Sequence, residues 1–186
     1  MGYWGYIVVA KGDHKLAEHP AVAAFGNGVL DDYPRGSWRE IWMYSRPGDA
    51  DITAVVAATG APAMAFYVMA EDCAIGEAAT PSGLRWDGVF TEECILSDYP
   101  DALPTDYRRE HAVAGAVAWA AEAGLAADPT GIEHAFARGW LHHLYDAVGL
   151  PGVSYRLSPS VSGTAACGTS NSRRTNTRCR QYWVVI

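Results

Sequence analysis

Residues 63–71, Ala-Met-Ala-Phe-Tyr-Val-Met-Ala-Glu, set the tightest constraint on the fold. Eight consecutive apolar residues end in the acidic pair Glu71-Asp72. Gly60 and Pro62 stand just before the run and stop any preceding helix. So short and aromatic a run reads as a strand buried on both faces. A buried helix segment is the other reading. If it is a strand, the rest of the chain must supply two covering layers.

The flanking segments supply candidates. Tyr3–Ala10 is rich in aromatic and β-branched residues and predicts a first strand, closed by the turn Lys11-Gly12-Asp13. Pro20 fits the first turn of a short helix, 20–25, with Gly26 past its end. Asn27-Gly28 and Pro34-Arg35-Gly36 read as loop. Trp38–Tyr44 predicts a second strand with Trp38, Glu40, Trp42 and Tyr44 on one face. Asp49 or Asp51 can cap a helix through Thr59, because a short carboxylate accepts from the free amides of a first turn. Cys73–Ala79 reads as an edge strand, 84–91 as a further strand or hairpin, and 97–104 as an acidic loop with two prolines.

Two helices are predicted to follow. The first runs from a cap at Thr105 or Asp106 to about Ala123, with Gly124 beyond it. Its small residues lie nearly all round, which implies close packing. The second covers 130–148, with Ile132, Phe136, Trp140, Leu144 and Val148 on a broad apolar face.

These elements predict an α+β domain over residues 1–157. Its sheet has four or five strands, mixed or antiparallel, with 63–71 near the centre. The helices 105–123 and 130–148 pack on one face as an antiparallel pair. The alternating order also permits a parallel α/β sheet. An apolar content of 49% suffices for such a core without a metal or disulfide staple.

Charge divides the chain. Residues 1–157 carry every one of the 21 acids and a net charge of −11, whereas 158–186 carry four arginines and no acid. The acidic domain repels nucleic acid and anionic membranes, and it suits a basic protein partner. The tail 158–186 is rich in Ser, Thr, Gly and Asn, so it is expected to be disordered, apart from a possible returning strand at 182–186. The abrupt loss of acids is also what out-of-frame translation produces. An uninterrupted frame on resequencing would exclude that origin. No apolar stretch reaches the roughly 18 residues of a membrane span. The opening residues lack a secretory pattern, so a cytoplasmic protein is expected. The cysteines at 73, 94, 167 and 179 form no C-x-x-C, and free thiols are the expectation.

Candidate chemistry is sparse. His142, His143 and Asp146 could hold a metal, since His142 and Asp146 are one helical turn apart. Yet two ligands fall short of the three that catalytic zinc takes from protein, so a solvated His–Asp pair is favoured. Gly26-Asn27-Gly28 lacks the third glycine of a dinucleotide loop. No P-loop or G-x-S-x-G occurs. No cofactor is implied. Glu92, Glu93, Asp98 and Asp101 make the densest acidic region, and Trp4 and Trp38 are the tryptophans expected to be displayed. The expected function is therefore non-catalytic protein binding, immunity-like toward a basic protein. A small metal-dependent or hydrolytic enzyme is the alternative.

Gly2-Tyr3-Trp4-Gly5-Tyr6, Thr59-Gly60-Ala61-Pro62-Ala63 and Asp72-Cys73-Ala74 together resemble uncharacterised proteins of high-GC actinobacteria. The resemblance carries no catalytic motif and implies no site.

Overall fold

Every residue of Ala63–Met69 is buried, and the segment is a strand covered on both faces. The computed structural model describes residues 2–44, 50–70, 73–103, 105–138 and 140–152. Expectations for the tail 158–186, including a returning strand at 182–186, lie outside the described residues.

The strands are Gly5–Lys11 (β1), Val29–Arg35 (β2), Trp38–Tyr44 (β3), Ala63–Met69 (β4), Cys73–Ala79 (β5) and Arg85–Phe90 (β6). They form one sheet in the order β2-β3-β1-β4-β5-β6, and every pairing is antiparallel. The α+β reading holds, with six strands rather than four or five. The parallel alternative fails.

Helices cover both faces. They are Pro20–Ala23 (α1), Ile52–Thr59 (α2), Glu92–Asp98 (α3), Arg109–Ala123 (α4), Pro129–Arg138 (α5) and Leu141–Ala147 (α6). Side chains alternate along a strand, so β4 feeds both layers. Its Met64, Phe66 and Val68 join Trp119 of α4, Phe136 of α5 and Leu144 of α6 in one cluster. Its Ala63 and Ala65 join Ile52, Val55 and Val56 of α2 in another. Its Tyr67 and Met69 meet Ile95 of α3.

Several local expectations change. The span 29–35 is a strand, although Pro34 and Gly36 mark it as loop in the sequence. Proline is tolerated here because β2 is an edge strand, where a ladder donor can be missing. Conversely, β5 is interior, between β4 and β6. Its small residues make room for the neighbouring strand: a Cβ on Gly76 would lie 2.4 Å from the Phe66 ring. The expected second helix is two helices. Trp140 has extended backbone (φ −124°, ψ 169°) and caps α6. Glycine at 139 is a poor helix former, which favours a break at this point.

Small residues bring α4 onto the sheet as expected. Ala112, Ala116, Ala120 and Ala123 are buried. The Trp119 indole donates from Nε1 to the Ala79 carbonyl at 3.1 Å and tilts against Trp38, with ring centres 5.6 Å apart. Lys11 crosses the Trp38 ring at 5.1 Å, and its Nζ donates to the Ala123 carbonyl at 3.3 Å. A cation is favourable there, at the negative end of the helix dipole.

Candidate functional site

From Glu92 to Asp106 the chain holds five acids and no base. The first seven residues form α3, which follows β6 directly through Thr91. Thr91 sits in the left-handed region at φ 56°, unusual for a β-branched residue. Two glutamates in the first turn suit the positive end of the helix dipole. A 3₁₀ turn at Pro100–Ala102 continues the segment.

Three fastenings hold α3 to the domain. Ile95 is fully buried among Tyr67, Met69 and Val89. Cys94 is bonded to Cys73 of β5, with Cα atoms 6.0 Å apart. The Glu92 carboxylate accepts from the Arg109 guanidinium at the start of α4. That ion pair holds the guanidinium firmly protonated. The disulfide corrects the free-thiol expectation for two of the four cysteines. Nothing in a 21-residue spacing reveals it, because β5 and α3 become neighbours only when the sheet forms. Cys167 and Cys179 lie outside the described residues.

The outward side of this segment is both acidic and apolar. Glu93, Asp98 and Asp101 are exposed, and none is ion-paired among the described residues. Leu96 is 53% exposed. Trp4, 41% exposed, meets Tyr99 edge-on with ring centres 5.8 Å apart. A groove of about 590 Å³ runs between α3 and the end of α5, past Glu93, Leu96, Ser97, Ala137 and Arg138. A second cavity, about 700 Å³, lies between α4 and α5 beside the Glu92–Arg109 pair. Arg108, Glu110 and Glu133 also line it, so its charges are mixed.

The structure thus places Glu92, Glu93, Asp98 and Asp101 on one short segment and brings Trp4 against it. Trp38 is different. It is 1% exposed, packed on Trp119, and cannot be presented to a partner from this position. Strand alternation puts it on the face that α4 covers. Leu96, Tyr99 and Arg109 were not legible as members of this surface. Leu96 and Tyr99 sit among acids with no periodicity, and Arg109 pairs across 17 residues.

His142, His143 and Asp146 are exposed on α6. The two imidazoles lie 4.0 Å apart, and Nδ1 of His143 accepts the Trp140 backbone N–H at 2.9 Å. Among the described residues, no three or more His, Cys, Asp or Glu side chains are grouped to hold a metal ion. No helix among them is long and apolar enough to cross a membrane.

Neither a protein-family model, nor a curated protein, nor a solved structure matches the chain. Function must therefore be argued from this geometry.

Proposed function

We propose that this chain is a non-catalytic binding domain, immunity-like in kind, whose α3 segment receives a basic protein. The observation that carries the reading is the exposed Trp4, set edge-on to the half-buried Tyr99, beside three acids that have no ion pair among the described residues, on a segment without a base. Aromatic side chains supply the large apolar contacts that dominate interface energy. Acids around them steer a cationic partner and reject anionic ones. Burial of Ile95, the Cys73–Cys94 bond and the Glu92–Arg109 pair fix α3 beforehand, which lowers the ordering cost of association. The alternative of a metal-dependent or hydrolytic enzyme draws no support from α6, where His143 is engaged in capping.

The test begins with affinity capture from the native cell's lysate and continues with the captured protein purified and titrated by calorimetry. The expected partner is basic and binds at least about tenfold more weakly in high salt. Trp4→Ala and Asp98→Asn/Asp101→Asn should each weaken it about tenfold while leaving the melting temperature unchanged. Binding that ignores salt and both variants, or no captured protein that responds to them, overturns the proposal.

A further inference from the structure

Thr91, the single residue between β6 and α3, holds φ 56° and ψ 60°, a left-handed conformation that a β-branched side chain resists. Two other non-glycine residues share a positive φ among the described residues. Asp106 (φ 60°) closes the acidic stretch that Thr91 opens, and Ala70 (φ 55°) stands in the connection from β4 to β5, shortly before Cys73. Such backbone persists only where its surroundings enforce it, and it gathers at switch regions. Here all three residues border the two segments that the Cys73–Cys94 bond joins.

The two ends of that bond are unlike. Cys73 is fully buried in β5, an interior strand paired on both sides. Cys94 is partly exposed in α3. Little else fastens its helix. Ile95 is the one buried residue of α3, and the turn at Pro100–Ala102 buries none. The Glu92–Arg109 pair is partly exposed on both sides, where water screens it. Seven residues are too few to stay helical without tertiary support. The covalent link is thus a principal restraint on a segment otherwise prone to local opening.

We infer that the Cys73–Cys94 bond is a reducible latch: closed, it holds α3 and sets Tyr99 against Trp4; open, it lets the stretch from Thr91 to Asp106 loosen from the sheet. A dithiol reductant supplies the chemistry. One of its thiolates attacks Sγ of Cys94, the residue that solvent reaches. The sulfur–sulfur bond breaks, its electron pair stays on Sγ of Cys73, and that sulfur takes up a proton. The second reductant thiol loses its proton and attacks the mixed disulfide, so Cys94 is released as a thiol and the reductant leaves as a cyclic disulfide. Two electrons and two protons pass from reductant to protein. Disulfides open to solvent are the labile, regulatory ones. The latch stands on this geometry alone. Only its consequence, that the closed form receives a basic protein better, rests on the proposed function.

The test uses the full chain as Cys167→Ser/Cys179→Ser, which leaves Cys73–Cys94 as the only bond that dithiothreitol can cut. Amide exchange is followed by NMR in low, non-denaturing urea, in the oxidised and the reduced chain. The Ile95 and Tyr99 amides, bonded to the Thr91 and Ile95 carbonyls, should exchange at least about tenfold faster after reduction. Their rates should change little with urea, because local opening exposes little surface, whereas β4 amides keep the steep slope of global unfolding. The Overhauser contact between the Trp4 and Tyr99 rings should vanish on reduction and return on reoxidation. Cys94→Ser without reductant should match the reduced chain. Unchanged exchange at Ile95 and Tyr99, or exchange with the urea slope of β4, overturns the inference. So does a Trp4–Tyr99 contact that survives reduction, or a Cys94→Ser variant that exchanges like the oxidised chain. No partner protein enters these measurements, so failure of the latch and failure of the protein-binding proposal are separate results.

Discussion

Arg35 and Glu40 pair diagonally across neighbouring strands, Arg35 standing opposite Trp38 and Glu40 opposite Tyr33, and both side chains are almost wholly buried. Removing one partner leaves the other as an uncompensated buried charge. Arg35→Met should therefore destabilise the domain by about 3–5 kcal/mol in urea unfolding. Arg35→Met combined with Glu40→Leu should cost less than the single change, because desolvation of both charges disappears together. Equal losses in the single and the double variant would count against this account.

The Cys73–Cys94 bond closes a 21-residue separation. A loop of that size restrains the unfolded chain by about 3 kcal/mol. Reduction should lower stability by an amount of that order, and hydrogen exchange should quicken first in α3. Alkylation of unreduced, unfolded protein, read by mass, should leave Cys73 and Cys94 unmodified. Modification of both would show that the bond is absent.

Asp51 caps α2. Its carboxylate accepts from the Thr53 backbone N–H at 2.9 Å and the Thr53 hydroxyl at 2.6 Å. Those hydrogen bonds, the hydroxyl's first, hold its pKa below the ordinary 3.8. A lowered folded-state pKa gives stability that is present above pH 3.8 and is lost as pH falls from there through the folded-state value. Asp51→Ala should thus cost about 1 kcal/mol at pH 7. Denaturation midpoints of the two proteins should converge in acid. A gap that persists at the lowest pH would exclude the charged cap as its cause.

Gly115 lets α4 approach β6. A Cβ there would lie 2.4 Å from the Cβ of Trp86. Alanine would gain about 1 kcal/mol of helix propensity. Overpacking against the fixed base of an indole costs about 1–3 kcal/mol. Gly115→Ala should therefore lower the melting temperature, and Gly115→Leu should lower it further. Stabilisation by alanine would show that the helix can move away freely.

Where neighbours in sequence decide the outcome, the residues were readable. Trp38–Tyr44 alternates and is punctuated at Pro47-Gly48, and β3 has those bounds. Asp51 caps α2 because its carboxylate needs only the amide two residues on. The first strand is offset, 5–11 instead of 3–10, because the expected turn at Lys11 is still paired to Trp38. The acidic patch was visible as composition, but its helix was not: Glu92–Asp98 carries only one buried residue, Ile95, and so shows no apolar period.

The sequence by itself determined that the chain builds an α+β domain around an apolar strand, with small-residue packing on α4 and a dense acidic segment near residue 92. These follow from local propensity, side-chain period and charge, which act over a few residues. Only the tertiary structure decided which segments became neighbours. It made β5 interior, joined Cys73 to Cys94, buried Trp38, set Trp4 on Tyr99 and paired Arg35 with Glu40. Each of these depends on strand order or on a helix crossing the sheet. Such contacts are fixed by the shared burial of distant surfaces, which no local pattern encodes.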